Sequence, residues 1–339
     1  MMRKLGVGVV GLGRLGKIYA LDLAHRVPNA NLVAVADAQS DVASSFAREN
    51  NVPNWYSDHR DLLADTAVDA VAVVTPTCTH KNVVVDVAEA GKAVFCEKPI
   101  SLSLADARGM LQIVEQTAVL FQMGFMRRFD RGYLEAKRKI QAGCIGEPLV
   151  LNSISRDPFA PPLEFCDPTM SGGLFADMGI HDYDVARMFM GEIKSVYSVG
   201  GVLAYPEMES ICDVDNATVS AYFESGALGT VQLSRNAVFG YDIRAEIWGT
   251  QGTLQVGYFR DTPVLLMTRE GVSHDVVPNF IERFESAYLA QIQDFVNNVL
   301  ENREPPITGA DGVAALVVAL AATKSFQEQR PVDIAEIRG

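Results

Sequence analysis

A valine-rich run, Leu5 to Val10, leads directly into Gly11-Leu12-Gly13-Arg14-Leu15-Gly16, and a helix-forming stretch from Leu15 to Ala24 follows. That order restricts the fold sharply. The apolar run suits a strand buried on both faces, as in a parallel sheet. The spacing Gly-x-Gly-x-x-Gly permits a tight turn and lets the backbone approach a pyrophosphate held at the helix N-terminus. A glycine-rich hexapeptide alone arises by chance, and the flanking strand and helix are what give this one weight. Asp37 ends the next apolar run, 21 positions after Gly16, where a carboxylate meets the 2′-hydroxyl of an adenosine ribose. Ala38, Gln39 and Ser40 follow, so no adjacent cation awaits a 2′-phosphate, and the pattern predicts NAD rather than NADP.

Further short apolar runs at Leu32 to Ala36, Ala70 to Val74, Ala93 to Cys96 and Val119 to Gln122 alternate with helix-compatible stretches. Thr79 is placed to cap a helix over 80–90, which Gly91 ends, and Ser103 to cap one over 104–116. Such alternation requires crossover connections and predicts an α/β fold, a doubly wound parallel Rossmann sheet, over residues 1–124.

After about Gly124 the texture changes. Thr218 to Phe223, Gly229 to Leu233, Ile243 to Trp248 and Thr253 to Val256 read as strands of a mostly antiparallel sheet. Helices are expected at about 284–300 and 312–327. Residues 125–339 are therefore expected to form an α+β domain with a large open sheet, with room for the terminal helix to pack back on the first domain.

At 339 residues, two domains are the natural expectation. Apolar residues make up 48% and charged residues 21%, the balance of a globular protein with a sizeable core. The longest apolar runs, such as Val313 to Ala322, fall short of the roughly 20 residues that span a bilayer, so no membrane span is expected. The N-terminus lacks the pattern of an export signal. A formal charge of −13 without a basic run argues against nucleic acid as a partner. Five scattered cysteines without Cys-x-x-Cys spacing suggest reduced, mostly buried thiols in a cytoplasm.

Two places carry candidate chemistry. Glu97-Lys98-Pro99 lies at the carboxyl end of an expected strand, where open α/β sheets place ligands, and Pro99 restrains the backbone of Lys98. Thr75, Pro76, Thr77 and His80 follow the strand ending at Val74 and are expected to border the cofactor. The stretch 172–191 reads as one helix, apolar nearly all round, with Asp177, His181 and Asp184 on one side. A lone lysine is usually a solvated charge and a lone histidine often a hydrogen-bonded core residue. No other histidine stands at ligand spacing to His181, so no metal is expected.

With Gly-Leu-Gly-Arg-Leu-Gly at 11–16, Thr-Pro-Thr at 75–77 followed by His80, Glu-Lys-Pro at 97–99, and Gly172-Gly173 leading into Asp177 and His181, the chain resembles the Gfo/Idh/MocA oxidoreductase family over nearly its whole length. Within it, Gly124-Phe125-Met126-Arg127-Arg128-Phe129-Asp130 looks most like the inositol 2-dehydrogenases. The resemblance implies a Rossmann domain, a second domain with a large sheet, and a homotetramer or homodimer built through that sheet. It further implies NAD-dependent oxidation of a secondary alcohol of a cyclic polyol, myo-inositol or an isomer, to an inosose. Another sugar or amino sugar is the alternative substrate, and a non-catalytic NAD sensor the alternative of a different class.

On this reading Lys98, Asp177 and His181 are catalytic. His181 takes the hydroxyl proton, Asp177 orients it or binds a neighbouring hydroxyl, and Lys98 donates to the reacting oxygen. Gly11, Gly13, Arg14, Leu15, Gly16, Asp37, Thr75, Pro76, Thr77, His80, Glu97 and Lys98 hold the cofactor. The resemblance adds Met126, Arg127, Asp157 and Tyr241 to the substrate site, with the fork of Arg127 suited to two oxygens at once. Asp182 and Asp184 are expected to tie the helix to a neighbouring loop.

Overall fold

A computed structural model describes residues 4–258 and 260–338. The chain forms two compact units: residues up to Met126 together with Tyr288–Val313, and Arg127–Ala287 together with residues from Ala314 onward. The sequence suggests a break near residue 125. It does not suggest that a segment of 26 residues from the second half, 288–313, belongs to the first unit.

The first unit holds a parallel sheet of β1 (Leu5–Val10), β2 (Ala30–Ala36), β3 (Asn54–Tyr56), β4 (Ala70–Val73), β5 (Ala93–Glu97) and β6 (Phe121–Gly124), in the order β3-β2-β1-β4-β5-β6. β1, β4 and β5 are buried along their whole length, which is why they read as unbroken apolar runs. Helices α1 (Arg14–His25), α2 (Ser40–Asn50), α3 (His59–Ala64), α4 (His80–Glu89) and α5 (Leu104–Thr117) connect the strands. The strand order reverses between β1 and β4, and ligands of such sheets bind at the carboxyl ends beside that switch.

The cap expected at Ser103 forms, its Oγ accepting the Asp106 amide at 3.1 Å. Thr79 does not cap α4. The chain passes through a 3₁₀ turn at Thr77–Thr79, which swings the hydroxyl back to within 2.7 Å of the Pro76 carbonyl and 2.8 Å of the Thr75 hydroxyl.

In the second unit a seven-stranded sheet runs β12-β11-β7-β10-β9-β8-β15, from β7 (Pro148–Arg156), β8 (Ile193–Gly201), β9 (Asn216–Phe223), β10 (Leu228–Ser234), β11 (Asp242–Gly249), β12 (Thr253–Val256) and β15 (Val332–Asp333). All neighbours are antiparallel except β7 and β10. A hairpin, β13 (Leu266–Thr268) with β14 (Gly271–Ser273), stands apart. Burial alternates along β9 and β10, one face packed and the other open, as expected of an antiparallel sheet covered on one side.

The covering elements include α6 (Arg131–Gln141), the short α7 (Leu163–Cys166) and α8 (Pro168–Ser171), then α9 (Gly173–Asp177) and α10 (Gly179–Met190). The expected single helix over 172–191 is thus offset at Met178, where the His181 amide reaches back three residues to the Met178 carbonyl at 3.4 Å. Asp177 ends one segment and His181 lies in the first turn of the next.

The chain closes with α11 (Phe280–Glu301), α12 (Gly309–Glu328) and α13 (Ile334–Arg338). Contrary to the sequence-based expectation, α12 is long and apolar enough, by length and composition, to cross a membrane. Ala315, Leu316, Ala319 and Ala322 on it are nonetheless buried in the protein, and the same composition serves a core helix. The thiols also depart from expectation. Cys96 and Cys166 are buried, whereas Cys78, Cys144 and Cys212 are exposed, and none of the five is in a disulfide.

Candidate active site

In the first unit the glycine loop crosses the carboxyl end of β1. Gly11 has φ +93°, and a Cβ there would come within 2.6 Å of the Val74 carbonyl. A Cβ on Gly16 would run into the carbonyl of Gly11. Both positions therefore require glycine for backbone to pass backbone.

Gly13 is exposed and has open space where its Cβ would project. It is the N-cap of α1, offers no side-chain cap, and no acidic residue stands in the first turn. Those helix N–H groups are open to an anion, which is what a pyrophosphate needs. Arg14 is exposed beside them.

Register brings Asp37 to this loop, because Val10 pairs with Ala36 and the two chains leave the sheet together. Its carboxylate accepts the Leu12 amide at 2.8 Å and the Gln39 amide at 2.9 Å, and lone pairs remain for a ribose hydroxyl. Replacing Asp37 with Ala and Ala38 with Arg is expected to lower the ratio of kcat/KM for NAD over NADP about tenfold or more, as befits loss of a charged hydrogen bond. An unchanged ratio in steady-state assays would remove Asp37 from the cofactor site.

Below Lys98 lies a buried polar knot. Glu97, 5% exposed, accepts from the Tyr19 hydroxyl at 2.5 Å, from Gln291 Nε2 at 3.4 Å and from the Lys98 amide at 3.0 Å. Gln291 also donates to the Tyr19 hydroxyl. Burial raises the Glu97 carboxyl above the usual range, opposed by Tyr19 and by the Lys98 charge. Burial and Glu97 likewise push the Tyr19 phenol up. Glu97, expected at the cofactor, instead grips the backbone of Lys98 from inside. A Cβ on Gly124 would approach Glu97 Oε1 to 2.7 Å, so glycine there leaves the carboxyl its room.

His80 also acts internally. It is 1% exposed, with Nδ1 at 2.8 Å from the Pro99 carbonyl and Nε2 at 2.9 Å from the Thr75 carbonyl. Both ring nitrogens are engaged, so any effect on a cofactor passes through the two loops they tie. The Lys98–Pro99 bond held in this way is cis. Lys98 itself is half-buried at the carboxyl edge of the sheet, one strand from Thr75, Pro76 and Thr77.

In the second unit Asp213 anchors the start of α9, both its oxygens accepting the Leu174 amide at 3.0 and 3.2 Å. Asp177, at the end of that short helix, pairs through Oδ2 with Arg235 Nη2 at 3.3 Å. His181 is 8% exposed. Asp157 follows β7, half-buried, and Tyr241 precedes β11; burial and the Asp157 carboxylate together raise the Tyr241 phenol well above its ordinary value.

The motif after β6 proves to be a docking device for α10. Arg127 Nη1 reaches Asp182 at 2.8 Å and Nη2 reaches Ser155 Oγ at 2.8 Å. Ser153 and Ser155, on the packed face of β7, each donate to Asp182 at 2.6 Å. Arg128 makes a two-pronged contact with Asp184 at 2.5 and 2.8 Å, and Asp130 caps α6 while accepting from Arg283 at 2.8 Å.

The fork of Arg127 therefore grips the inside of its own domain rather than standing ready for two substrate oxygens, and Met126 is 2% exposed. Asp182 and Asp184 do tie their helix to neighbouring elements. Sequence reading missed Arg235, Tyr19 and Gln291. The only trace of Arg235 was a charge immediately after a strand.

These features define an oxidoreductase class: a Rossmann sheet built to receive a dinucleotide, followed by an α+β domain that presents a carboxylate and an imidazole. Residues 5–125 match the oxidoreductase family GFO_IDH_MocA, NAD-binding Rossmann fold, and residues 137–334 its C-terminal alpha/beta domain. The chain is 43% identical to scyllo-inositol 2-dehydrogenase (NAD(+)) of Bacillus subtilis over 98% of its length and 97% of the relative's. It is 41% identical to myo-inositol 2-dehydrogenase of Thermotoga maritima over 98% and 99%. Scyllo-inositol dehydrogenase of Lactobacillus casei, solved with bound NAD(H) and scyllo-inositol, superposes with a TM-score of 0.94 at 35% identity, covering 98% of this chain and 100% of that one. The chain belongs to the Gfo/Idh/MocA oxidoreductase family. It is an NAD-dependent oxidoreductase acting on a CH–OH group.

Proposed function

We propose that the chain is an inositol 2-dehydrogenase, oxidising a secondary alcohol of myo-inositol or an isomer to the corresponding inosose. The observation that carries this reading is the presentation of Asp177 and His181 on α9 and α10, with Asp157 and Tyr241 in the same domain, in a chain so similar to inositol dehydrogenases over its full length. A polyol has little apolar surface, and a site that recognises it must offer directed hydrogen bonds.

NAD⁺ held by the glycine loop and Asp37 would supply the acceptor for the hydride that leaves the carbinol carbon. His181 removes the hydroxyl proton, Asp177 keeps the imidazole oriented, and Lys98 donates to the oxygen as negative charge develops on it. Asp157 and Tyr241 bind further hydroxyls. Gly11, Gly13, Gly16, Asp37 and Thr75 to Thr77 form the cofactor bed.

The open face of the second unit's sheet exposes Tyr197, Val199, Tyr222, Leu228 and Trp248, an apolar area that supports assembly into a homodimer or homotetramer through that sheet. Five cysteines outside any disulfide support a reducing cytoplasm as its compartment.

NADH absorbance measured across inositol isomers, hexopyranoses and amino sugars tests the substrate. The highest kcat/KM is expected with an inositol. A preference for a hexopyranose or amino sugar would replace the substrate, and tight NAD binding without turnover of any of them would make the chain a sensor.

A further inference from the structure

Arg235 leaves the sheet directly after β10, and its side chain is 0% exposed. The parallel pairing of β7 with β10 sets Ser234 beside Arg156, so Asp157 and Arg235 emerge side by side, the Asp157 amide donating to the Ser234 carbonyl at 2.8 Å. On its other flank the Arg235 amide donates to the Asp215 carbonyl at 2.9 Å, which brings in the segment preceding β9.

The charged and titratable groups facing the guanidinium are Asp177 from α9, Cys166 from α7, Asp157 after β7 and Asp213 before β9. Burial opposes its charge, and these neighbours more than offset that, holding its pKa above the ordinary arginine value. Only Nη2 makes an ion pair, with Asp177; Nε and Nη1 have no hydrogen-bond partner among the described residues. A fully buried arginine with two unpartnered nitrogens is a poor stabilising element, since each unmet donor carries a desolvation penalty.

We propose that Arg235 is a positioning residue for the reaction: from beneath the site it holds Asp177 as an aimed carboxylate, and so sets the pH range over which Asp177 and His181 work as an acid–base pair. This rests on the reading of those two residues as that pair. Without Arg235 the neutral form of Asp177 gains, because a desolvated carboxylate has lost its counter-charge. Where Asp177 stays ionised, it holds a proton on His181 more tightly than before. Both routes leave less free imidazole beside an ionised carboxylate at a given pH, so the acidic limb of the rate profile moves upward.

The experiment is the pH profile of kcat for polyol oxidation at saturating NAD in the wild type, Arg235→Gln, Arg235→Lys and His181→Ala. Arg235→Gln is expected to move the acidic limb up by about one pH unit or more, the size of effect an opposite charge has at close range. Arg235→Lys is expected to recover part of that shift. An unchanged limb with kcat reduced equally at every pH would make Arg235 merely structural and overturn the proposal. Should Arg235→Gln not fold, the neutral Arg235→Met decides in its place, an upward shift supporting the proposal and an unmoved limb overturning it. His181→Ala separates the two readings: wild-type turnover there overturns the acid–base pair itself, whatever the Arg235 variants do.

Discussion

His181→Ala lowers kcat for polyol oxidation by about 10² to 10⁴, the usual loss when a positioned general base is removed, or about 3 to 5 kcal/mol of barrier. The helix survives, because alanine is the best helix former and α10 keeps its anchorage through Asp182 to Ser153, Ser155 and Arg127. NAD affinity is expected to be kept, because the substitution leaves the glycine loop and the Asp37 contacts with the Leu12 and Gln39 amides intact. Steady-state kinetics with a fluorescence titration of NADH checks both halves of this expectation. Near wild-type turnover at saturating substrate would remove His181 from the chemistry.

Lys98→Met lowers kcat/KM by about 10² to 10³, as for a single donor lost from a developing oxyanion. Methionine keeps the apolar stem, so the loss reports the ammonium group. Lys98→Arg does not restore the rate, because a planar fork cannot take the place of a compact point charge.

The same variant carries a pH signature in stability. Glu97 is held above its ordinary value of 4.5 by burial, and the Lys98 charge opposes that rise. Removing the charge raises the folded-state pKa further while the unfolded value stays. A carboxyl raised on folding contributes stability below its unfolded pKa and loses it as pH rises through the folded one. Thermal melts of Lys98→Met are therefore expected to run parallel to the wild type while both folded forms keep Glu97 protonated, and to fall progressively further below it as pH rises through the wild type's folded-state value, which lies above 4.5. A rate loss without this widening gap would place Lys98 away from Glu97's field.

The two classes of residue differ in how they could be found. The glycine loop, Asp37 and the strand run at β5 are local: strand, turn and helix follow one another within a few dozen residues, and the chemistry of each glycine shows in its spacing. The Ser103 cap is local in the same way. Thr79 shows the limit of such reading, since a 3₁₀ turn of three residues was enough to redirect its hydroxyl.

Arg127 shows a different limit. Its charge and fork suit a polyol as well as they suit Asp182, and only the packing of α10 on β7, 55 positions along the chain, assigns it to the latter. Glu97 and His80 carry recognisable motif letters, yet burial turned both inward, onto Lys98 and onto the Thr75 and Pro99 carbonyls.

From its order of residues alone, this chain declares a Rossmann unit, a site for NAD and the three candidate groups Lys98, Asp177 and His181, because each depends on short-range spacing or on a motif that travels intact. Folding decided the rest. The return of residues 288–313 to the first unit and the pairing of Arg235 with Asp177 across 58 positions depend on strand order and on which buried charge finds which partner. Those outcomes are set by the desolvation of polar groups in a particular packed interior, and no local pattern in the chain encodes that.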